Sequence, residues 1–129
     1  MNQPLQRVLY VEDEPDIQAV AKLALETVGG LEVRVSSNGD EALQVAPTFA
    51  ADLLLLDVMM PGMDGPTTLA RLREMPAFSK TPAVFMTAKV QPSEVAHLKS
   101  LGALEVIAKP FDPMTLADTL KKLFASAQQ

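Results

Sequence analysis

Four consecutive leucines, Leu53 to Leu56, run directly into a carboxylate, Asp57. A strand-length apolar run with no alternation has no face to offer water. It suits a central strand of a parallel sheet, covered by helices on both sides. Parallel neighbours need crossover connections, and the rest of the chain supplies them. Arg7 to Val11 is a short apolar and β-branched run. Beyond Glu12-Asp13-Glu14 comes Pro15, suited to a first helical turn, where a missing N–H costs nothing. Ile17, Val20, Ala21, Ala24, Leu25 and Val28 then recur at helical spacing until Gly29-Gly30 closes the segment. Leu31 to Ser36 reads as a second strand, and Asn38-Gly39-Asp40-Glu41-Ala42-Leu43 opens a short helix.

After Asp57, Pro61-Gly62 and Gly65-Pro66 mark a loop. Leu69 and Leu72 belong to a helix ending near Met75-Pro76, and Pro82 to Thr87 is a fourth strand. Val95, Leu98 and Leu101 give a helix closed by Gly102, and Glu105 to Ala108 is a fifth strand ending at Lys109-Pro110. Asp112 can cap a last helix with Pro113 at its first position, whose buried stripe is Leu116, Leu120, Leu123, Phe124 and Ala127. Strand–helix units repeated five times predict an α/β fold: a doubly wound, parallel five-stranded sheet in the flavodoxin-like order 2-1-3-4-5.

The 129 residues suit one domain, residues 1–129, with no second hydrophobic pattern for an output domain. An apolar fraction of 48% and a charged fraction of 21% are ordinary for a globular chain. No apolar run approaches a membrane span, and the N-terminus lacks the signature of a secretory signal, so a cytoplasmic location and no membrane insertion are expected. With no Cys and one His, thiolate and His-cluster metal sites are excluded. A net charge of −5 argues against direct nucleic-acid binding by the surface as a whole.

In such sheets ligands bind at the carboxyl ends of the strands. Glu12 and Asp13 follow strand one, Asp57 ends strand three, Thr87 strand four and Lys109 strand five. Carboxylates brought this close repel, and without a cation some would keep a proton. Hard oxygen donors favour Mg²⁺ over Zn²⁺. Lys109 and Thr87 would then face a phosphoryl group, and Asp57, alone at the end of the central strand, is the best candidate to accept it. Each residue taken singly also has a plain structural role. Glu12-Asp13 can be helix N-terminal charges, Asp57 a turn residue, Thr87 a strand end and Lys109 a solvated lysine. Only their coincidence at different strand ends favours the chemical reading. His97 reads as a surface residue, and Met59, Met60 and Met63 as packing or loop-lining residues.

Val11-Glu12-Asp13-Glu14-Pro15, Asn38 to Leu43, Asp57 to Gly65, Met86-Thr87-Ala88 and Lys109-Pro110-Phe111, in this order and spacing, resemble the receiver domain of bacterial two-component response regulators. The resemblance spans about Arg7 to Phe124. It implies that Asp57 is the phosphoacceptor, and that Glu12, Asp13 and Asp57 hold Mg²⁺ with the backbone carbonyl of Met59. It further implies that Thr87 is the switch hydroxyl, that Lys109 pairs with the phosphoryl group, and that Lys109-Pro110 is cis. Such a protein is a phosphoacceptor rather than an enzyme acting on an external substrate. Its implied partners are a histidine kinase or histidine phosphotransfer protein, and a downstream protein on the face of the fourth helix, fifth strand and fifth helix. It would be a monomer or a phosphorylation-dependent dimer.

One position departs from the family: Val106 stands where receivers often carry the aromatic half of the switch, so output must run through backbone and loop shifts or be weak. Met59 and Lys89, two residues beyond Asp57 and Thr87, occupy positions that influence the lifetime of the phosphoryl group, and an apolar Met59 orients no attacking water. An aspartate-nucleophile phosphatase would want a second acid at Met59. A flavodoxin-like FMN site would want a phosphate cradle where Glu12-Asp13-Glu14 stands. A pseudo-receiver, a binding module of this fold that is not phosphorylated, is the remaining alternative.

Overall fold

The five strand segments come together as one parallel sheet in the order 2-1-3-4-5, the expected topology. The computed structural model describes residues 3–128. In chain order the elements are β1 (Arg7–Val11), α1 (Pro15–Leu23), β2 (Glu32–Ser36), α2 (Gly39–Val45), β3 (Leu53–Asp57), α3 (Gly65–Arg73), β4 (Ala83–Thr87), α4 (Pro92–Ser100), β5 (Glu105–Ala108) and α5 (Leu116–Ala127). Pro15, Pro66 and Pro92 sit in the first turns of their helices. The carboxamide of Asn38 and the carboxylate of Asp64 accept backbone N–H bonds at the starts of α2 and α3.

The leucine run explains the two-layered core. Leu53 and Leu55 face a cluster with Val8, Tyr10, Leu25, Leu116 and Leu120. Leu54 and Leu56 face the opposite cluster, with Leu9, Phe49, Leu69, Leu72 and Phe85. All four leucines are fully buried, each contributing about 1.5–3 kcal/mol of hydrophobic stabilisation. β1 and β4 flank β3 in parallel register, Val11 opposite Leu56 and Met86 opposite Asp57, so the strands end at one level.

Several helical positions differ from the sequence pattern. After Leu23 the first helix continues as a π-type segment, Ala24–Val28, in which the Gly29 N–H donates to the Ala24 carbonyl. Five-residue bonding advances each residue through a smaller angle, turning Val28 to solvent. Only Ala21, Ala24 and Leu25 are buried here, because small alanines bring the helix close to the sheet and leave Val20 outside the contact. In α4 only Leu98 is buried and Leu101 is exposed, and Ala127 is exposed on the last turn of α5. The regular part of α5 starts at Leu116 rather than Pro113; the Asp112 carboxylate still caps the preceding turn, accepting from the Met114 N–H at 2.9 Å.

Candidate functional site

Strand register determines what meets at the carboxyl end of the sheet. Glu12 directly follows β1, and its N–H donates to the Ser36 carbonyl, prolonging the β1–β2 ladder. Lys109 directly follows β5, and its N–H donates to the Thr87 carbonyl at 2.9 Å, prolonging the β4–β5 ladder. Both residues are thereby fixed beside Asp57. The loop after Asp57 is held close by α3: the Gly65 N–H donates to the Val58 carbonyl, and a Cβ at Gly65 would lie 2.4 Å from the Asp57 carbonyl oxygen. Glycine is required there by contact, not by backbone angle. The Lys109-Pro110 bond is cis.

The Lys109 ammonium donates to Glu12 Oε1 at 2.9 Å and to Asp57 Oδ1 at 3.1 Å. Glu12 is fully buried, Asp57 is 3% exposed and the lysine side chain 14% exposed, so these are charge-assisted bonds in a largely desolvated setting. Glu12 takes two more donors: the Tyr10 hydroxyl on Oε1 at 3.3 Å and the Glu14 N–H on Oε2 at 3.3 Å. Glu12, Asp13 and Asp57 each bring a carboxylate oxygen within 4.8 Å of the others. Asp13 Oδ1 is buried and has no hydrogen-bond partner among the described residues. A buried carboxylate oxygen without a donor is costly unless a cation or water meets it. The donors are all hard oxygens, which fits Mg²⁺.

Burial first, and the neighbouring acid after it, disfavour the charged form of Asp57. Burial, reinforced by Glu12, pushes its carboxyl up to about 6, even though Lys109 pulls the other way. Burial alone would lower the Lys109 ammonium, but its bonds to Glu12 and Asp57 outweigh that and hold it above the ordinary lysine value, so it is charged at neutral pH. Burial and the adjacent Glu12 also raise the Tyr10 phenol well above its usual range, so it remains a donor.

Thr87 is buried at the same end of the sheet, and its hydroxyl accepts from the Lys89 N–H at 3.1 Å. Asp57, Thr87, Lys109, Glu14, Ile17 and Met59 line one cavity of about 380 Å³. Met59 is 62% exposed at its rim. The other two methionines pack: Met60 is buried, and Met63 lies against Gly39. His97 is exposed on α4, beside a neighbouring groove that also takes in Met59, Thr87 and Lys89. Two residues beyond the sequence reading bond Glu12 without lining the cavity. Tyr10 stands two positions before Glu12, so the period-two alternation of a strand puts it on the same side. Gln18, one helical turn into α1, donates to the Glu12 backbone carbonyl and to Ser37 Oγ. The first could have been found from spacing; the second depends on how α1 lies across the sheet.

An acid triad with two buried members, one bridging ammonium and an adjoining cavity has the donor set to hold a divalent cation and, through that cation and the ammonium, a phosphoryl group. The sequence model described as "Response regulator receiver domain" matches residues 8–121. Response regulator Rre1 of Synechocystis is 32% identical over 121 residues, covering 94% of this chain and 52% of that protein. The transcriptional regulatory protein DltR of Streptococcus agalactiae is 42% identical over 106 residues, covering 82% of this chain and 46% of that protein. The chain spans about half the length of most of these curated relatives. Among solved structures, the chemotaxis response regulator CheY4 of Vibrio cholerae superposes with a TM-score of 0.85 at 31% identity, covering 92% of this chain and 98% of that one. A response regulator from Chloroflexus aurantiacus gives a TM-score of 0.83 at 33% identity, covering 95% and 99%.

Proposed function

This chain belongs to the response regulator receiver domain family of two-component signalling, and on that footing we propose that Asp57 is its phosphoacceptor and that the fold converts phosphorylation into a change of surface. The observation that carries the reading is the Lys109 ammonium bridging Glu12 and Asp57 beside an unpartnered Asp13 oxygen.

Family membership implies a histidine kinase as partner. A phosphohistidine, on a kinase or a phosphotransfer protein, is the proposed donor. An Asp57 oxygen attacks phosphorus, an O–P bond forms, and the N–P bond breaks with its electron pair returning to the imidazole nitrogen. Receiver domains bind Mg²⁺ at an acidic pocket. Here Asp13, Asp57 and Glu12, with the Met59 carbonyl, would hold it, and bound Mg²⁺ would supply positive charge to the phosphoryl oxygens. The chain acts on no external substrate; its chemistry is its own modification.

The added group carries nearly two negative charges. Lys109 turns from Glu12 and Asp57 toward it, and the Thr87 hydroxyl follows. As that hydroxyl leaves, the Lys89 N–H loses its acceptor, so the β4–α4 loop must rearrange. This route needs no aromatic ring at position 106, where Val106 packs half-buried in the core beside Phe85. The loop change reaches the α4–β5–α5 face, which receives a downstream protein or a second copy, or the phosphoryl group is relayed. The equilibrium shifts only by the difference in interaction energy between the two states.

The test is incubation with Mg²⁺ and acetyl phosphate, followed by intact-protein mass spectrometry. One labile phosphoryl group is expected, absent with chelator and in Asp57→Asn. No adduct from small donors or from a kinase would instead support the binding module that is not phosphorylated.

A further inference from the structure

Tyr10 is the only tyrosine in a chain without tryptophan. It is fully buried in β1, and its hydroxyl donates to Glu12 Oε1, the same oxygen that accepts the Lys109 ammonium. Packing alone does not call for this hydroxyl. The ring already fills the cluster with Val8, Leu55 and Met86, and a phenylalanine would fill it equally.

We propose that Tyr10 is a positioning residue for the phosphorylated state: its hydroxyl is the donor that stays on Glu12 Oε1 when Lys109 leaves for the phosphoryl group. The inference rests on the phosphoacceptor reading above. Glu12 has no exposure to water, so losing Lys109 would leave Oε1, the oxygen that the lysine held, without its charged donor even where the other oxygen faces a cation. A buried carboxylate left short of donors is penalised. The Glu14 N–H serves only Oε2, so on Oε1 the Tyr10 hydroxyl is the remaining partner among the described residues. In the unphosphorylated protein the two donors share one oxygen, and the tyrosine bond is the longer, 3.3 Å against 2.9 Å. Departure of Lys109 lets the phenol bond tighten. Tyr10 thereby lowers the cost of freeing the lysine, although its hydroxyl bonds Glu12 rather than Asp57 and it does not line the cavity that would receive the phosphoryl group.

The experiment compares wild type with Tyr10→Phe, using beryllium fluoride with Mg²⁺ as a stable mimic of the aspartyl phosphate and calorimetric titration as the readout. In Tyr10→Phe, Mg²⁺ alone is expected to bind within about twofold of wild type. The beryllium fluoride complex is expected to form about tenfold more weakly, the size of one hydrogen bond to a charged group. A residue needed only for packing would not split the two affinities. Equal affinity of both proteins for beryllium fluoride, or equal losses for both ligands, overturns the inference and leaves the phosphoacceptor reading intact. Failure of wild type itself to bind beryllium fluoride overturns both.

A second measurement needs no variant. Tyrosine emission is quenched by a hydrogen-bonded carboxylate, and here all of it comes from Tyr10. Addition of beryllium fluoride to the Mg²⁺-bound wild type is expected to dim that emission as the phenol bond tightens. Unchanged or brighter emission contradicts the proposed tightening.

Discussion

Replacing Asp57 with Asn should make the metal-free protein more stable, although it removes the proposed phosphoacceptor. The Asp57 carboxyl stands at about 6 in the folded chain against 3.8 in its ordinary state, chiefly because of burial and then because of Glu12, after allowing for the opposing pull of Lys109. Between those two values the folded state binds more protons than the unfolded state. Stability therefore falls as pH rises through that window, and at pH 7 the full penalty is present. A shift of that size corresponds to at most ~3 kcal/mol. Solvent in the adjoining cavity and the adaptable Lys109 reduce it, so a gain of about 1–2 kcal/mol is expected for the neutral, isosteric amide. For a domain of this size that raises the melting midpoint by about 3–8 °C. The assay is thermal unfolding by circular dichroism with chelator, at pH 7 and again near pH 4. The gain should be present at pH 7 and largely gone near pH 4, where the wild-type carboxyl is protonated when folded. An Asn variant no more stable than wild type at pH 7, or a gain of equal size at both pH values, would refute the reasoning.

Further outcomes follow from the same geometry. Mg²⁺ at about a hundred times its dissociation constant should stabilise the wild type by ~2.7 kcal/mol; Asp13→Asn should lose most of that response, and a retained thermal shift would remove Asp13 from the metal site. Gly65→Ala should destabilise by about 1–3 kcal/mol, because its Cβ would press on the Asp57 carbonyl; chemical denaturation that finds it neutral would show that the loop gives way freely. Met59→Asn places a polar group where an exposed thioether now lines the cavity and should speed loss of the phosphoryl group; an unchanged dephosphorylation rate would count against an effect of Met59 on that step.

The sheet was legible because its centre is so heavily written. Leu53 to Leu56 can be satisfied only between two layers of helices, and the prolines and glycines mark the crossovers. Helix faces were less legible. Val20 and Val28 obey the helical period yet face solvent, because alanines draw α1 onto the sheet and the π-type segment turns Val28 outward. The convergence of Glu12, Asp57 and Lys109 followed from topology, since residues just past parallel strands meet at one end. Side-chain partners did not follow. That Lys109 bridges two acids, that Thr87 engages Lys89, and that Tyr10 shares Glu12 Oε1 with the lysine depend on rotamers packed by residues far along the chain.

The most direct measurement is to identify the modified side chain itself. After reaction with acetyl phosphate and Mg²⁺, borohydride reduces an aspartyl phosphate to homoserine, and peptide mapping reports where the conversion occurred. Conversion is expected at position 57 alone, abolished by chelator. Conversion at another carboxylate, or none while a phosphoryl group is present on the protein, would contradict that expectation.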